Sequence, residues 1–234
     1  MDFVLVPGAW AGEWIWDEVA SELHLIGHKA HPITLSGLDP SNPTEGVSLR
    51  THVEDVRSYI TANGIDPAIL VGHSYSGIVV GQVASQFPNL VHHTIFIEAF
   101  LPISGKSLLE VSGLDEAEER DSIEANGGKW LPPSPEELAA QPKLNDSQIK
   151  LLEEQQQPHP GKTVLDRAEM DRPLQDLSAS FVAHKGWLSG SLEQDLVEKL
   201  RASGSWAFHE IDGGHWPMLT VPKKLANLLH SCVI

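Results

Sequence analysis

Short apolar runs alternate along the chain with longer stretches in which hydrophobic residues recur at helical spacing. The short runs predict strands over residues 3–6, 29–35, 68–71, 91–97, 180–184 and 206–211. The periodic stretches predict helices over residues 13–25, 48–62, 191–202 and 221–230, and one that follows the turn of residues 72–77 and ends at about residue 86. Alternation of this kind predicts an α/β fold, with a mostly parallel sheet of about six strands covered by helices on both faces.

Residues 103–172 interrupt this alternation. They contain Pro132-Pro133-Ser134-Pro135, several weak helical patterns and no clear strand. We expect a helical lid inserted after the fourth strand, so that residues 1–102 and 173–234 form the core. The alternative is an irregular surface excursion.

A turn of small residues follows the third predicted strand and leads directly into a helix. The sequence Gly72-His73-Ser74-Tyr75-Ser76-Gly77 lies between two apolar runs, with a serine at its apex. Strand, sharp turn and helix with an apical serine are the sequence form of a nucleophile elbow. Only small residues fit two positions before and after the apex, and these are Gly72 and Ser76. Ser76 replaces the usual second glycine, so we interpret the turn as a variant elbow. The alternative is an ordinary turn rich in glycine and serine.

A serine hydroxyl needs a base to take its proton before it becomes a good nucleophile. Of the twelve histidines, His215 lies in a tight Gly213-Gly214-His215 turn just after the last strand. Functional loops of parallel sheets gather at the carboxyl ends of the strands, where Ser74 also lies. We therefore predict a Ser74–His215 pair; the alternative is a structural histidine.

Acyl transfer also requires donors for a developing oxyanion. The backbone N–H of Tyr75 follows the apical serine, and a second donor is expected from the loop of residues 7–10. Gly8 allows a close backbone approach there, so we favour the N–H of Ala9.

Four segments together resemble the α/β-hydrolase superfamily: residues 3–10, residues 70–77, Gln157-Pro158-His159-Pro160 before Thr163, and residues 214–219. Within it, the chain is similar to the small esterase and hydroxynitrile-lyase branch that includes plant methylesterases. The resemblance implies Ser74 as nucleophile, His215 as base, and Ala9 and Tyr75 as the oxyanion hole. Pro7 departs from the pattern, because relatives usually have histidine there. We expect no metal and no cofactor.

The acid of the triad is the weak point of this resemblance. Relatives usually carry an aspartate in the loop after the penultimate strand, but residues 183–191 contain no carboxylate. Glu193 and Asp195 come later, within a predicted helix. Asp212 is too close to His215 in sequence to face it comfortably.

Glu98 offers another solution. It is a lone acid in an apolar run, at the carboxyl end of the fourth strand. Burying a carboxylate costs several kcal/mol, on the order-of-magnitude scale, unless the group is paired. Certain haloalkane dehalogenases place their acid after this strand in a similar Glu-Ala context. We therefore predict the triad Ser74–His215–Glu98; the alternative is that Glu98 caps the strand in a solvated cleft.

Composition limits the partners and the compartment. The formal charge of −16 argues against binding to nucleic acid or to an anionic membrane. No apolar run is long enough to span a membrane. The N-terminal residues predict a first strand instead of a signal peptide, and the single Cys232 excludes an intramolecular disulfide. We expect a cytoplasmic protein with a small-molecule substrate and leave a homodimer open.

These features favour hydrolysis of a carboxylic ester through an acyl-enzyme on Ser74. Five tryptophans are expected to line an apolar pocket beneath the lid: Trp10, Trp14, Trp130, Trp187 and Trp216. Such a pocket predicts a small to medium, largely apolar substrate. A non-hydrolytic lyase is the main alternative. However, lyase relatives have a lysine at the position of Trp216. A ligand-binding protein on the same scaffold is the third hypothesis.

Overall fold

A computed structural model of the protein describes residues 1–41, 45–190 and 194–234. In these ranges six parallel strands lie in the order β2-β1-β3-β4-β7-β8. Their bounds are β1 Asp2–Val6, β2 Lys29–Pro32, β3 Ala68–His73, β4 Val91–Ile97, β7 Ala179–Ala183 and β8 Trp206–Glu210. The predicted six-stranded parallel sheet is confirmed.

Helices cover both faces of this sheet, because β3 at its centre is buried along its whole length and needs cover on each side. Apolar residues of α2 and α3 pack on one face, and those of α1 and α12 pack on the other. The helices of the described residues are α1 Asp17–Leu25, α2 Leu49–Ala62, α3 Ser76–Gln86, α4 Leu108–Ser112, α5 Glu116–Ala125, α6 Pro135–Ala139, α7 Asp146–Gln155, α8 Lys162–Leu165, α9 Lys185–Gly190, α10 Gln194–Ser203, α11 Pro217–Thr220 and α12 Pro222–Ser231.

Local sequence sets where several of these elements begin and end. Helix α2 begins after Ser48, whose side chain and that of Thr51 cap each other's backbone N–H. The stretch predicted as one helix over 13–25 begins as a 3₁₀ turn, Glu13–Trp16, before α1. The helix predicted over 191–202 is α10, and the first three predicted residues lie outside the described ranges.

The second strand is shorter than predicted. It ends at Pro32, although the apolar pattern continues to Leu35. Ile33 still donates to the carbonyl of Leu5, and both Ile33 and Leu35 are buried in the core. The apolar pattern continues because these side chains pack inward beyond the last residue of the strand.

The 103–172 segment contains α4 to α8 and a short antiparallel ladder that the sequence pattern did not predict. Strand β5, Lys129–Trp130, pairs with β6, His159–Pro160. Two-residue strands are too short to produce a periodic pattern, so their pairing follows from tertiary contacts alone. The ladder brings Trp130 opposite His159.

No helix in the described part of the chain combines the length and the apolar character required to cross a lipid bilayer.

Candidate active site

Ser74 lies at the sharp turn between β3 and α3, with its backbone in the left-handed region at φ 52°. Its N–H donates to the carbonyl of Ile97, and its own carbonyl accepts from Gly77 and Phe100, each at 3.1 Å. These bonds hold a conformation that is strained for any residue other than glycine. The side chain is thereby directed from the carboxyl edge of the sheet into a cavity that it lines.

The two small residues that flank the turn are small for different reasons. A Cβ atom at Gly72 would lie 2.6 Å from Val80 Cγ2 and 2.8 Å from the carbonyl oxygen of Ser76, so no larger residue fits. Ser76 is fully buried, and its hydroxyl donates a hydrogen bond to the carbonyl oxygen of Pro7. The hydroxyl therefore links the elbow to the loop that follows β1.

His215 lies next to Ser74, as the sequence predicts. Its Nε2 is 3.2 Å from Ser74 Oγ. The backbone carbonyl of His215 accepts a hydrogen bond of 2.8 Å from Nε2 of the buried His73. The indole of Trp187 stacks on the His215 ring with centroids 5.0 Å apart. The His215 ring is thus held from both sides, with one nitrogen directed at the serine.

Glu98 is completely buried and is also in the left-handed region, at φ 46°. Its Oε2 lies 3.9 Å from Nδ1 of His215, which is an ion-pair distance and not a hydrogen bond. Nδ1 of His215 is buried and has no hydrogen-bond partner among the described residues. The structure therefore brings all three predicted triad residues together, with the last contact longer than expected.

The close partner of Glu98 is His184, which the sequence analysis did not single out. The His184 backbone N–H donates to Oε1 at 2.5 Å, and its ring Nδ1 lies 2.9 Å from Oε1 and 3.0 Å from Oε2. These donors satisfy a carboxylate that would otherwise be costly to bury. Its position in the sequence could have indicated a place in the site, because His184 directly follows β7, at the same carboxyl edge of the sheet as Ser74.

The two other acids that the sequence offered and the structure describes, Asp195 and Asp212, form no ion pair with His215. Asp195 is exposed on α10. Asp212 is exposed and its carboxylate pairs with Lys143 at 3.0 Å. Glu193 lies outside the described residues. Among the described carboxylates weighed as the triad acid, Glu98 alone faces the histidine.

Ala9 and Tyr75 both line the cavity beside Ser74. Neither backbone N–H donates to another group within the described parts of the chain, so both amides are available as donors. A Cβ atom on Gly8 would lie 2.7 Å from His73 Nδ1 and 3.1 Å from Ser74 Cβ. Glycine at this position therefore lets the loop after β1 approach the elbow closely.

The Tyr75 side chain is held by hydrogen bonds away from its backbone N–H. Its hydroxyl hydrogen-bonds to Nδ1 of His52 at 2.8 Å, and Nε2 of His52 bonds to the carbonyl of Ser36. Burial raises the pKa of the Tyr75 phenol and lowers the pKa of His52. Both side chains are therefore neutral, and Tyr75 presents its backbone to the site.

A cavity of about 740 Å³ opens beside these groups. Three of the predicted tryptophans line it: Trp10, Trp130 and Trp187. Trp216 does not line the cavity, so the prediction for this residue is wrong. Trp216 is 4% exposed and packs against His73. The chain turns into α11 at Pro217, and this turn carries the indole into the core. Trp14 is also absent from the lining and packs against the same core cluster.

The formal charges around the cavity are of one sign. Among the described residues that line it there is no lysine or arginine, whereas Glu119 and Glu137 are present. The indole N–H of Trp130 donates to Glu119 at 2.7 Å. This lining suits a neutral, largely apolar molecule better than an anion. Within the described ranges, no group of three or more His, Cys, Asp or Glu side chains is placed to hold a metal ion.

The chain is similar in sequence to known proteins. A family model described as the alpha/beta hydrolase family matches residues 3–228. A carbendazim hydrolyzing esterase from Nocardioides sp. (strain SG-4G) is 38% identical over 110 residues, 46% of this chain and 46% of that protein. Methylesterase 10 from Arabidopsis thaliana is 34% identical over 103 residues, 43% of this chain and 38% of that protein. The matched region spans less than half the length of these relatives.

Solved structures extend the likeness to the whole chain at the level of the fold. An extracellular alpha/beta-hydrolase from a Paenibacillus species superposes with a TM-score of 0.86 at 23% identity, covering 99% of this chain and 98% of that one. A polyneuridine aldehyde esterase superposes with a TM-score of 0.75 at 18% identity, covering 98% of each chain.

Proposed function

Because the chain belongs to the α/β-hydrolase family, we propose that it hydrolyses carboxylic esters through an acyl-enzyme on Ser74. The observation that carries this proposal is the 3.2 Å approach of His215 Nε2 to Ser74 Oγ at the edge of an aromatic cavity. A nucleophile and a base at this separation form the arrangement that activates a serine hydroxyl. The esterases and methylesterases among the relatives support the same reaction class.

Acylation follows from these positions. His215 Nε2 takes the hydroxyl proton as Ser74 Oγ attacks the ester carbonyl carbon, and the carbonyl oxygen becomes an oxyanion. The N–H groups of Ala9 and Tyr75 stabilise this charge. When the tetrahedral intermediate collapses, His215 returns the proton to the leaving alcohol. A water molecule then repeats the sequence on the acyl-enzyme and releases the acid.

Glu98 is the acid of this triad. As His215 takes the proton its ring becomes cationic, and the attraction of Glu98 Oε2, 3.9 Å away, increases. The buried Nδ1–H of His215, which lacks another described partner, then has an acceptor. Glu98 thus stabilises the imidazolium without taking its proton.

The substrate class follows from the cavity. The cavity has aromatic walls and a volume of about 740 Å³, and the formal charges among its described lining residues are carboxylates. These properties favour a neutral, largely apolar ester of small to medium size. The 103–172 segment contributes much of this lining, including Trp130, Pro132 and Pro142. Its role is that of a lid over the site.

Turnover of p-nitrophenyl butyrate, together with labelling by a fluorophosphonate probe, tests the proposal. We expect hydrolysis and labelling of the wild-type protein, and the loss of both in Ser74→Ala. Peptide mapping should place the label on Ser74. If a folded wild-type protein shows neither turnover nor labelling, a binding protein on this scaffold is the better description.

Cytoplasmic location and a homodimer stay predictions. Light scattering of the purified protein tests whether it is a homodimer.

A further inference from the structure

Trp10 follows the proposed oxyanion donor Ala9 and has a strained backbone, at φ 64°. Non-glycine residues keep this conformation only when their surroundings hold them in it. The Ala9–Trp10 peptide is part of the loop that must keep the Ala9 N–H directed at the cavity. Whatever fixes Trp10 therefore also fixes this donor.

All the hydrogen bonds that the described residues make to Trp10 come from one region, residues 130–159. The Trp10 carbonyl accepts from Gln157 N at 2.8 Å, and its indole N–H donates to the carbonyl of Trp130 at 2.9 Å. Its backbone N–H donates to Nδ1 of His159 at 3.4 Å. The loop after β1 is thus held by residues far away in the sequence.

His159 is well suited to accept this bond. It is completely buried, and burial, followed by the proximity of His52, holds the pKa of His159 well below its usual value. A neutral imidazole has one nitrogen that accepts and one that carries hydrogen. Nε2 has no described partner, so the tautomer with hydrogen on Nε2 leaves Nδ1 to accept from Trp10.

The same ring also contacts the other half of the oxyanion hole. It packs edge-on against the ring of Tyr75, with centroids 4.6 Å apart. Its own position is fixed by the β5–β6 ladder, in which His159 lies opposite Trp130. One side chain therefore contacts both Trp10, next to the Ala9 donor, and Tyr75, whose N–H is the second donor.

We propose that His159 is a positioning residue that holds the two donors of the oxyanion hole at the separation the transition state requires. The inference rests on the proposed ester hydrolysis. It gives a role to the Gln157-Pro158-His159-Pro160 segment, which carries no chemistry of its own in the mechanism. It also makes the 103–172 segment a part of the catalytic frame, in addition to a cover over the site.

Three substitutions separate this role from simple core packing. His159→Asn places an amide oxygen close to the position of Nδ1, whereas the longer side chain of His159→Gln places its amide near Nε2. His159→Phe fills the space without any acceptor. Each variant is compared with the wild type in kcat and KM for p-nitrophenyl butyrate and in Ki for an aryl trifluoromethyl ketone, whose hemiketal with Ser74 carries an oxyanion.

We expect kcat to fall about 10- to 100-fold in the Phe and Gln variants, with KM within about twofold, because a misplaced donor weakens only the transition state. The Ki of the ketone should rise by a similar factor, and the Asn variant should recover most of both. If the Phe variant does not fold, the comparison of Asn with Gln decides.

Equal losses in Asn and Gln, or an unchanged Ki in a variant with reduced kcat, would overturn the positioning role. Wild-type kinetics in all three variants would do so as well. These outcomes differ from failure of the proposed function, in which the wild-type protein itself neither turns over the ester nor binds the ketone.

Discussion

Oε2 of Glu98 lies 3.9 Å from Nδ1 of His215, within ion-pair distance but too far for a hydrogen bond. Of the described carboxylates that the sequence offered as the triad acid, Glu98 alone forms such a pair with the histidine. The carboxylate is held at this distance because its other oxygen accepts two N–H groups of His184.

Replacement of Glu98 by glutamine should lower kcat by roughly 10²- to 10⁴-fold, because the imidazolium of His215 loses its counter-charge. Ester hydrolysis under saturating substrate measures the effect. Asp195→Asn, at an exposed position of α10, is the matched control and should change kcat by less than about twofold. Loss of activity in the Asp195 variant but not in the Glu98 variant would assign the acid to the helix instead.

Replacement of His184 by phenylalanine should destabilise the protein more than it impairs catalysis. The buried Glu98 carboxylate loses one charge-assisted hydrogen bond but keeps the backbone N–H. Since the His184 ring is about one-third exposed, we expect the free energy of unfolding to fall by about 1–2 kcal/mol. Urea denaturation measures this change.

His184→Asn retains a side-chain donor near Glu98 and is the control, with most of the stability preserved. The value of kcat in the Phe variant should stay within about tenfold of wild type, in contrast with Glu98→Gln. Equal stability of the Phe and Asn variants would contradict a role of the ring N–H in satisfying the carboxylate.

Replacement of Ser76 by alanine removes the hydrogen bond from its hydroxyl to the carbonyl of Pro7. We expect a loss of about 1–2 kcal/mol in the free energy of unfolding and a several-fold lower kcat with little change in KM, because Pro7 begins the loop that carries the Ala9 donor. Ser85→Ala is the control on the same helix, where the hydroxyl donates to the carbonyl of Arg172 at 3.0 Å and accepts from its N–H at 2.8 Å. It should lose at least as much stability and keep full kcat.

His93 makes a specific contribution to the pH dependence of stability. Burial, with smaller effects from His92 and His209, lowers the pKa of His93 from 6.5 to about 4. Between these values the unfolded chain binds a proton that the folded chain does not, so the contribution is present above pH 6.5 and is lost as the pH falls towards 4.

Allowing for solvent screening, this loss should amount to about 0.5–1 kcal/mol between pH 6.5 and pH 5. Urea denaturation of wild type and His93→Gln at several pH values measures it as a difference in slope. The glutamine keeps a polar side chain between Ser178 and Ser180, which His93 contacts at 2.8 and 2.9 Å. Identical slopes for the two proteins would show that His93 is not the group responsible.

The fold was predictable because its information is local. Strand β3 begins with a continuous apolar run and β4 ends in one, and in the helices hydrophobic residues recur at helical spacing. The strand prediction was too long at Pro32, where β2 ends: Ile33 keeps one backbone hydrogen bond to Leu5, and the apolar residues up to Leu35 are buried without belonging to the strand. The β5–β6 ladder was missed because two residues carry no period.

Site residues were likewise predictable where a local sequence pattern identifies them. Ser74, His215, Ala9 and Tyr75 were named from the sequence because each lies in a recognisable turn at the end of a strand. Trp216 was assigned to the cavity by proximity to His215, but the chain direction at Pro217 turns its side chain into the core.

The sequence by itself determined the order of strands and helices, the serine at the elbow, the histidine after the last strand and the isolated acid at Glu98. These depend on residue type and spacing along the chain. Only the tertiary structure decided that Glu98 is shared with His184 and that Trp10 is held by His159. Those contacts join residues 86 and 149 positions apart, and no local pattern encodes a distance set by the packing of separate elements.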